Sequence, residues 1–384
     1  MGKRELVIAA AIVLIGVAVY QFTAPPADPS SQGFSIGRIV DEIRREIRGQ
    51  RATAETTSTT TRKVPDTISE LRLSFDIGAI IVVGEERDDV EAEFHVRSTG
   101  YDTAEAERLA KASHLTFDEA GAVLIIKGEF PLEGRQTPTL RLKVPARLGL
   151  RMDEKGSALD VTGIASVLIG EGRGRSTIER IKGNVTISQR GNEVAVTDVG
   201  SLKLSTFSGA EARVVNVRGD TAFVLQGGEL RGEGLGGALE IEARNAEVQL
   251  EKLENLKGPV RIEAIGGELV LAGLRAETRI DGRRSEIRID HAGGAPLAIY
   301  NEGDETIELT VPPGGFTMDA VAAEGQISLD EKLEAIGLTR AVSGNGDPGR
   351  ENTPQETRVT GAVRGGGPMI TLRATRGNIV VRAR

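Results

Sequence analysis

The sequence predicts an all-β protein built as a single-stranded β-solenoid of about 18–19 residues per rung, preceded by an N-terminal transmembrane helix. Three observations predict this fold. A short apolar pattern recurs through the middle of the chain, a glycine or asparagine stands at one fixed place in most repeats, and an uncharged apolar run lies near the N-terminus. Because each repeat is too short to bury its own apolar face, it has to stack on its neighbours.

The repeat has the form apolar-x-apolar-x-x-apolar, often after a glutamate, as in Glu193–Val199 and Glu247–Leu253. The first apolar residue of the repeat is Leu159 in the first copy and Ile307 in the last. This distance of 148 residues covers eight intervals, or about 18.5 residues per repeat. Glycine and asparagine tolerate left-handed backbone angles, so they predict a left-handed corner before each glutamate. The residues at this corner are Gly191, Gly209, Gly227, Asn245 and Gly266, with Arg284 as the exception.

The N-terminal residues divide into a cytoplasmic tip (1–4), a transmembrane anchor (5–22) and a linker (23–66). The apolar run from Leu6 to Phe22 has 17 residues, which span about 25 Å as a helix, the short end of a membrane span. A cleaved signal peptide is the alternative, but the prolines that follow the run disfavour cleavage. Because Lys and Arg precede the run and are then absent up to Arg38, the N-terminus is predicted to be cytoplasmic and the rest extracytoplasmic.

The linker contains apolar residues at helical spacing from Phe34 to Ile47, interleaved with arginines. This pattern predicts a short amphipathic helix, which could lie on an anionic membrane surface. It could equally pack against the end of the solenoid or against a second chain. The tract from Ala52 to Thr61 is polar and of low complexity, and we predict that it is flexible.

The solenoid is predicted over residues 67–340. Its first strands are followed by Asp102–Ser113, whose composition is helical, and Pro145 is expected to end a strand because it lacks an amide donor. Residues 341–357 are rich in Gly, Pro, Asn and charge and predict a mobile loop. Residues 358–384 then predict a closing rung that caps the apolar end of the stack.

Parallel stacking would align the glutamates of successive repeats about 4.8 Å apart on the outer surface. This column is a candidate cation-binding face, since calcium prefers carboxylate oxygens. The alternative, which we favour, is a solvated face partly neutralised by neighbouring arginines. The column consists of Glu193, Glu211, Glu229, Glu247, Glu268 and Glu286, and the arginines are Arg213, Arg231 and Arg288.

The composition excludes several classes of function. The net charge of −8, without a strong basic block in the repeats, argues against a nucleic-acid binder. No cysteine is present, so there is neither a disulfide framework nor a thiol nucleophile. Aromatic residues make up only 3% and tryptophan is absent, which disfavours a dedicated lectin.

No catalytic, cofactor-binding or metal-binding residues are predicted, and no cofactor. The three histidines, His95, His114 and His291, are scattered without metal-ligand spacing. A polysaccharide lyase or hydrolase is the enzymatic alternative, because such sites use acidic pairs. Its densest candidate cluster consists of Asp281, Arg283, Arg284, Asp290 and His291.

The lead ending in Leu140-Arg-Leu-Lys-Val-Pro145, the glycine-punctuated repeats and the closing segments Gly365–Leu372 and Gly377–Val380 resemble the bacterial family named "putative adhesins". The resemblance covers roughly residues 67–384 and implies an envelope β-solenoid involved in attachment, without defined ligand residues. The expected function is non-catalytic: adhesion, surface scaffolding or binding of an envelope polymer. The expected partners are the membrane, through the N-terminal helix, and an envelope polysaccharide or protein; a self-assembling scaffold is a further alternative.

Overall fold

The computed structural model describes residues 52–75, 77–335, 337–343 and 356–384. Within these ranges, no helix combines the length and the apolar character that a membrane span needs. The predicted anchor (5–22) and the predicted amphipathic helix both lie outside the described residues.

The described chain consists mostly of strands, which confirms the all-β prediction. It also contains helix α1 (Thr103–Ala112), helix α2 (Glu331–Glu334) and a 3₁₀ turn (Leu253–Asn255). The strands are β1 (Ala52–Lys63), β2 (Glu70–Ser74), β3 (Ala79–Glu85), β4 (Asp89–Gly100), β5 (His114–Ala120), β6 (Val123–Glu129), β7 (Arg135–Pro145), β8 (Gly149–Lys155), β9 (Ala158–Thr162), β10 (Ser166–Gly172), β11 (Ser176–Arg190), β12 (Glu193–Phe207), β13 (Glu211–Val217), β14 (Thr221–Gln226), β15 (Glu229–Leu235), β16 (Leu239–Glu251), β17 (Val260–Leu274), β18 (Thr278–Arg283), β19 (Glu286–His291), β20 (Leu297–Glu302), β21 (Ile307–Val311), β22 (Phe316–Ala322), β23 (Ile327–Leu329), β24 (Leu338–Ser343), β25 (Glu356–Val363), β26 (Met369–Ala374) and β27 (Ile379–Ala383).

The strands form two ladders, and from β6 to β23 the chain alternates between them, so that each rung there has one strand, or one part of a long strand, in each ladder. Ladder A contains, in spatial order, β1, β4, β7, β3, β9, the first parts of β11 and β12, β13, β15, the second parts of β16 and β17, β19, β21, β27 and β23. Ladder B contains β5, β6, β2, β8, β10, the second parts of β11 and β12, β14, the first parts of β16 and β17, β18, β20, β26, β22, β25 and β24. Pairing is parallel throughout the middle of both ladders.

One hydrophobic core runs along the molecule and takes side chains from both ladders. In β12, for example, Val194 and Val196 of ladder A and Leu204 of ladder B are buried, while Glu193 is exposed. This alternation follows from the pleat, because successive side chains of a strand point to opposite faces. The apolar positions of the repeat are therefore the core positions, as the sequence predicts.

The corner residues before the glutamates have left-handed backbone angles, with φ of 57° at Gly191, 73° at Gly209 and 51° at Asn245. Arg284, the exception in the sequence, takes the same conformation with φ of 53°. The predicted left-handed corner is thus confirmed at the five glycine and asparagine positions, and Arg284 shares it although an arginine has a steric cost there that glycine does not. A second left-handed series lies at or just past the end of the ladder A segments of β11, β12, β13, β15, β16 and β17 and has no dominant residue type; it consists of Arg180, Asp198, Asn216, Gly234, Lys252 and Gly273.

Both ends of the stack have an inserted rung. The rung formed by β2 and β3 lies between the later pairs β6–β7 and β8–β9. At the other end, β26 lies between β20 and β22, and β27 lies between β21 and β23. The prediction that residues 358–384 form a closing cap is therefore wrong for β26 and β27, which are internal. The cap consists instead of β25 and β24, which continue ladder B with antiparallel pairing beyond β22.

Two predictions about irregular segments need correction. The tract from Ala52 to Thr61, predicted to be flexible, lies in β1, which pairs antiparallel with β4 along its whole length. Its threonines are β-branched and suit a strand whose outer face is solvated. The prediction of a loop at 341–357 is wrong at its two ends, because β24 continues to Ser343 and β25 begins at Glu356; residues 344–355 lie outside the described residues.

Two other predictions are confirmed. Strand β7 ends at Pro145, as expected for a residue without an amide donor. Helix α1 occupies the predicted excursion, and Asp102 is its N-cap, with its carboxylate accepting a hydrogen bond of 2.8 Å from the backbone N–H of Glu105.

Candidate binding face

The outer face of ladder A carries the predicted carboxylate column in strict register. Glu193 pairs with Glu211, Glu211 with Glu229, and the alignment continues through Glu247 and Glu268 to Glu286. Most of these glutamates are 18 residues apart, so successive glutamates lie on adjacent rungs. The sequence-predicted alignment of these carboxylates is confirmed.

A groove of about 460 Å³ lies over this column, and we call it the ladder A groove. Its charged lining combines carboxylates with two guanidinium groups, because Arg213 and Arg231 stand in register two residues after Glu211 and Glu229. The charged lining residues are Glu193, Glu211, Glu229, Glu233, Glu251, Arg213 and Arg231.

Ion pairs neutralise part of the column. Arg231 pairs with Glu229, and Arg288 pairs with both Glu268 and Glu286. At the rim of the groove, a hydrogen bond from Lys252 lowers the pKa of Glu233. Arg213 forms no ion pair with any described residue, but its positive charge also helps to lower the pKa of Glu233.

Cation binding by the column would need carboxylates grouped around an ion. Among the described residues, no three His, Cys, Asp or Glu side chains form a group that could hold a metal ion. Arg231 and Arg288 already supply positive charge to the carboxylates of Glu229, Glu268 and Glu286 through direct ion pairs. The arrangement therefore fits a mixed-charge, solvated face better than a metal-bridged one.

The candidate lyase cluster is not assembled. Asp281 lies in ladder B and bonds to Arg279 at 2.8 Å, whereas Asp290 lies in ladder A and pairs with Arg384. Arg283 bonds to Glu302 at 3.2 Å on ladder B, and Arg284 is the corner residue described above. The two aspartates thus lie close in sequence but on different ladders.

His291 belongs to the same stretch and is 1% exposed. Burial lowers the pKa of His291, because the apolar surroundings disfavour the charged imidazolium. The remaining histidines are at the surface and lie near carboxylates: His95 is 3.5 Å from Glu55 and His114 is 3.3 Å from Glu129. These three environments differ and share no ligand geometry.

A second groove, of about 410 Å³, lies on ladder B over the first residues of its strands, just after the chain crosses from ladder A. Sequence reasoning missed it, although a recurrent glycine at this corner was visible. At Gly200 an added Cβ would lie 2.5 Å from the carbonyl oxygens of the preceding rung, so only glycine allows this approach. The polar residues of this ladder B groove are Asn184, Thr186, Ser201, Lys203, Asp220, Thr221, Glu240 and Arg261.

A buried lysine was also missed by the sequence. Lys155 is 2% exposed, and its ammonium donates to the carbonyl oxygens of Ser157 at 2.9 Å, Arg173 at 2.6 Å and Gly174 at 3.1 Å. Burial lowers the pKa of Lys155 to about 8. The available signal was Gly172, which is in register with Lys155 on the next strand and leaves space for its stem.

Comparisons with known proteins add little. No family model matches the chain, and no curated protein matches it. It is similar to solved structures described as a putative cell adhesion protein from Clostridium sporogenes (8% identity, 86% of this chain and 100% of that chain, TM-score 0.20) and a putative adhesin from Parabacteroides distasonis (9%, 86% and 97%, 0.29). A putative adhesin from Bacteroides fragilis is a further one (8%, 86% and 97%, 0.27). Likenesses at these TM-scores carry no argument, so the function has to be argued from the residues of this chain.

Proposed function

We propose that this chain is a non-catalytic envelope protein that displays a β-solenoid outside the membrane and binds an envelope polymer through the outer face of ladder A. Residues 5–22 anchor it in the membrane with the N-terminus in the cytoplasm. This function is of the kind implied by the resemblance to the "putative adhesins" family.

One observation carries the proposal: the carboxylates of the ladder A groove recur rung by rung in register, and the guanidinium groups of Arg213 and Arg231 stand beside them on two consecutive rungs. A surface that repeats about every 4.8 Å offers the same chemistry many times along one direction. A polymer with repeated polar or charged groups can use such a surface through many weak contacts, which together exceed the affinity of any one.

Features of the strand edges favour this function over end-to-end assembly. Ladder A ends in the three-residue strand β23, and β1 at its other end carries Glu55, Arg62 and Lys63. Short and charged edge strands discourage the addition of another strand. The separation of Asp281 from Asp290 likewise gives no support to the lyase alternative.

The test is co-sedimentation of the full chain, in mild detergent, with cell-wall and capsular polysaccharide from the source organism. Arg213→Gln/Arg231→Gln removes both cations of the ladder A groove, and we expect binding to fall at least tenfold. The matched control is Lys203→Gln/Arg261→Gln, which removes two cations from the ladder B groove and should leave binding unchanged. Circular dichroism verifies that both variants fold.

Soluble sugar is measured in the same samples. Binding without sugar release supports the proposal, whereas sugar release from the wild-type protein would favour the lyase or hydrolase alternative. If the wild-type protein binds neither polysaccharide, the polymer-binding function is wrong. Concentration-dependent association in analytical ultracentrifugation would then point to the scaffold.

A further inference from the structure

An exposed apolar corner lies at the N-terminal end of the molecule. Leu132 is 104% exposed in the turn between β6 and β7, and Ile77 is 36% exposed in the turn between β2 and β3. These two turns are neighbours, because β6 pairs with β2 and β7 pairs with β3. We call residues 77 and 130–132 the apolar corner.

The apolar corner stands on a rigid base. The Phe130 ring packs edge-on against Phe75, with 5.6 Å between the centroids, and lies 6.1 Å from the ring of Phe94. Three of the nine phenylalanines of the chain meet here. Such a cluster holds the turn in place, so that Leu132 projects outward from a fixed support.

This corner lies beside the place where the described chain begins. An added Cβ at Gly134 would lie 2.8 Å from the carbonyl oxygen of Thr99, so the turn that carries Leu132 touches β4 there. Thr99 in turn pairs with Thr53 of β1. The apolar run at 6–22 therefore connects, through residues 23–51, to the edge of the molecule that carries Leu132.

We propose that the apolar corner contacts the headgroup region of the bilayer in which residues 6–22 are anchored. This inference rests on the proposed membrane anchoring. The tether of 23–51 keeps this end of the molecule near the membrane, so that a weak apolar contact forms at high effective concentration. Apolar side chains at the headgroup boundary are a common mode of interfacial binding.

The charges next to the corner are compatible with this contact. Glu133, the neighbour of Leu132, has its carboxylate 2.8 Å from a guanidinium nitrogen of Arg108, and its carbonyl oxygen accepts a hydrogen bond of 2.7 Å from Gln136. A paired carboxylate is less strongly repelled by an anionic surface than a free one. The tip thus approaches lipid without an isolated negative charge beside it.

The competing occupant is a protein segment, above all Phe34–Ile47, whose apolar residues recur at helical spacing in the sequence. The shape of the corner favours lipid. A helix packs its ridge into a groove, whereas Leu132 protrudes completely from the surface. A protruding side chain fits a deformable partner such as the lipid headgroup layer.

The absence of cysteine from the chain permits a direct test. Leu132→Cys, labelled with an environment-sensitive fluorophore, is reconstituted as the full chain into vesicles of phosphatidylglycerol and phosphatidylethanolamine. Met369→Cys, 45% exposed at the other end of the molecule, is the matched control. We expect a blue shift and at least twofold quenching by headgroup-nitroxide lipids at position 132, and neither effect at position 369.

Flotation of the same vesicles reports on the anchor independently. Protein that floats while the label at 132 stays water-exposed would overturn the inference and leave membrane anchoring intact. A blue shift without lipid quenching would mean that a protein segment covers the corner, which also overturns it. If the full chain does not float, both the anchoring and the contact are wrong.

Discussion

The buried ammonium of Lys155 makes the stability of this protein depend on alkaline pH in a defined direction. No described carboxylate pairs with it, and burial lowers its pKa from 10.5 to about 8. Below pH 8 the lysine is protonated in both the folded and the unfolded state, so the cost of burying its charge is fully present. Between pH 8 and 10.5 the folded protein has lost the proton while the unfolded chain retains it, so the free energy of unfolding rises with pH.

The size of the effect follows from the two pKa values. By pH 9.5 the difference between the states contributes about 2 kcal/mol relative to pH 7, and the full shift corresponds to about 3 kcal/mol. These are upper values, because the carbonyl oxygens around the ammonium favour its charged form and oppose the effect of burial.

The assay compares the wild-type protein with Lys155→Met by urea unfolding between pH 7 and 9.5. Other titrating groups affect both proteins alike, so the difference in their free energies of unfolding isolates Lys155. We expect this difference to shift in favour of the wild-type protein across the range, by at most about 2 kcal/mol. Parallel pH profiles, or a shift in favour of the variant, would refute the reasoning and show that the carbonyl cage keeps the lysine charged.

Two further predictions concern backbone fit and the inserted rung. A Cβ added at Gly209 would meet open space, but φ there is left-handed, so Gly209→Ala should lower the free energy of unfolding in urea by about 1 kcal/mol. Gly377→Ala would drive its Cβ into the carbonyl oxygen of Glu305 and should lower it by about 1–3 kcal/mol, more than Gly209→Ala. Equal costs would mean that the rungs yield at this contact. Leu372→Ala in β26 should cost about 2–5 kcal/mol and speed hydrogen exchange in both β20 and β22, whereas Leu338→Ala in the outer β24 should leave β20 unaffected. Exchange that rises only in β22 would contradict the internal position of β26.

The sequence predicts the middle of this fold well because one spacing determines three features at once. The step from Glu193 to Glu211 gives the rung length, the register of the carboxylates and the position of Gly209 at the corner. The second corner escaped notice because residues such as Arg180 and Lys252 have no intrinsic preference for left-handed angles; the stacked rungs hold them there.

The ends of the molecule were harder to predict. Alternating apolar residues in Met369–Ala374 indicate which face is buried, but they do not indicate which strand lies alongside. The threonine tract of β1 has the low complexity of a linker, and only its pairing with β4 makes it a strand. The candidate binding face was predictable as a column of carboxylates, whereas the grooves depend on how small residues such as Gly232 and Ala222 shape the surface.

The inserted rungs determine where this protein can change in length. Adding a unit at either end would disrupt an inserted rung, β2–β3 or β26–β27, whose neighbours on both sides are distant from it in sequence. In the middle, by contrast, Glu193, Glu211, Glu229 and Glu247 are spaced 18 residues apart on consecutive rungs. One such unit could be duplicated or lost without altering the inserted rung at either end. Relatives of this chain should therefore differ in length through the number of their central rungs.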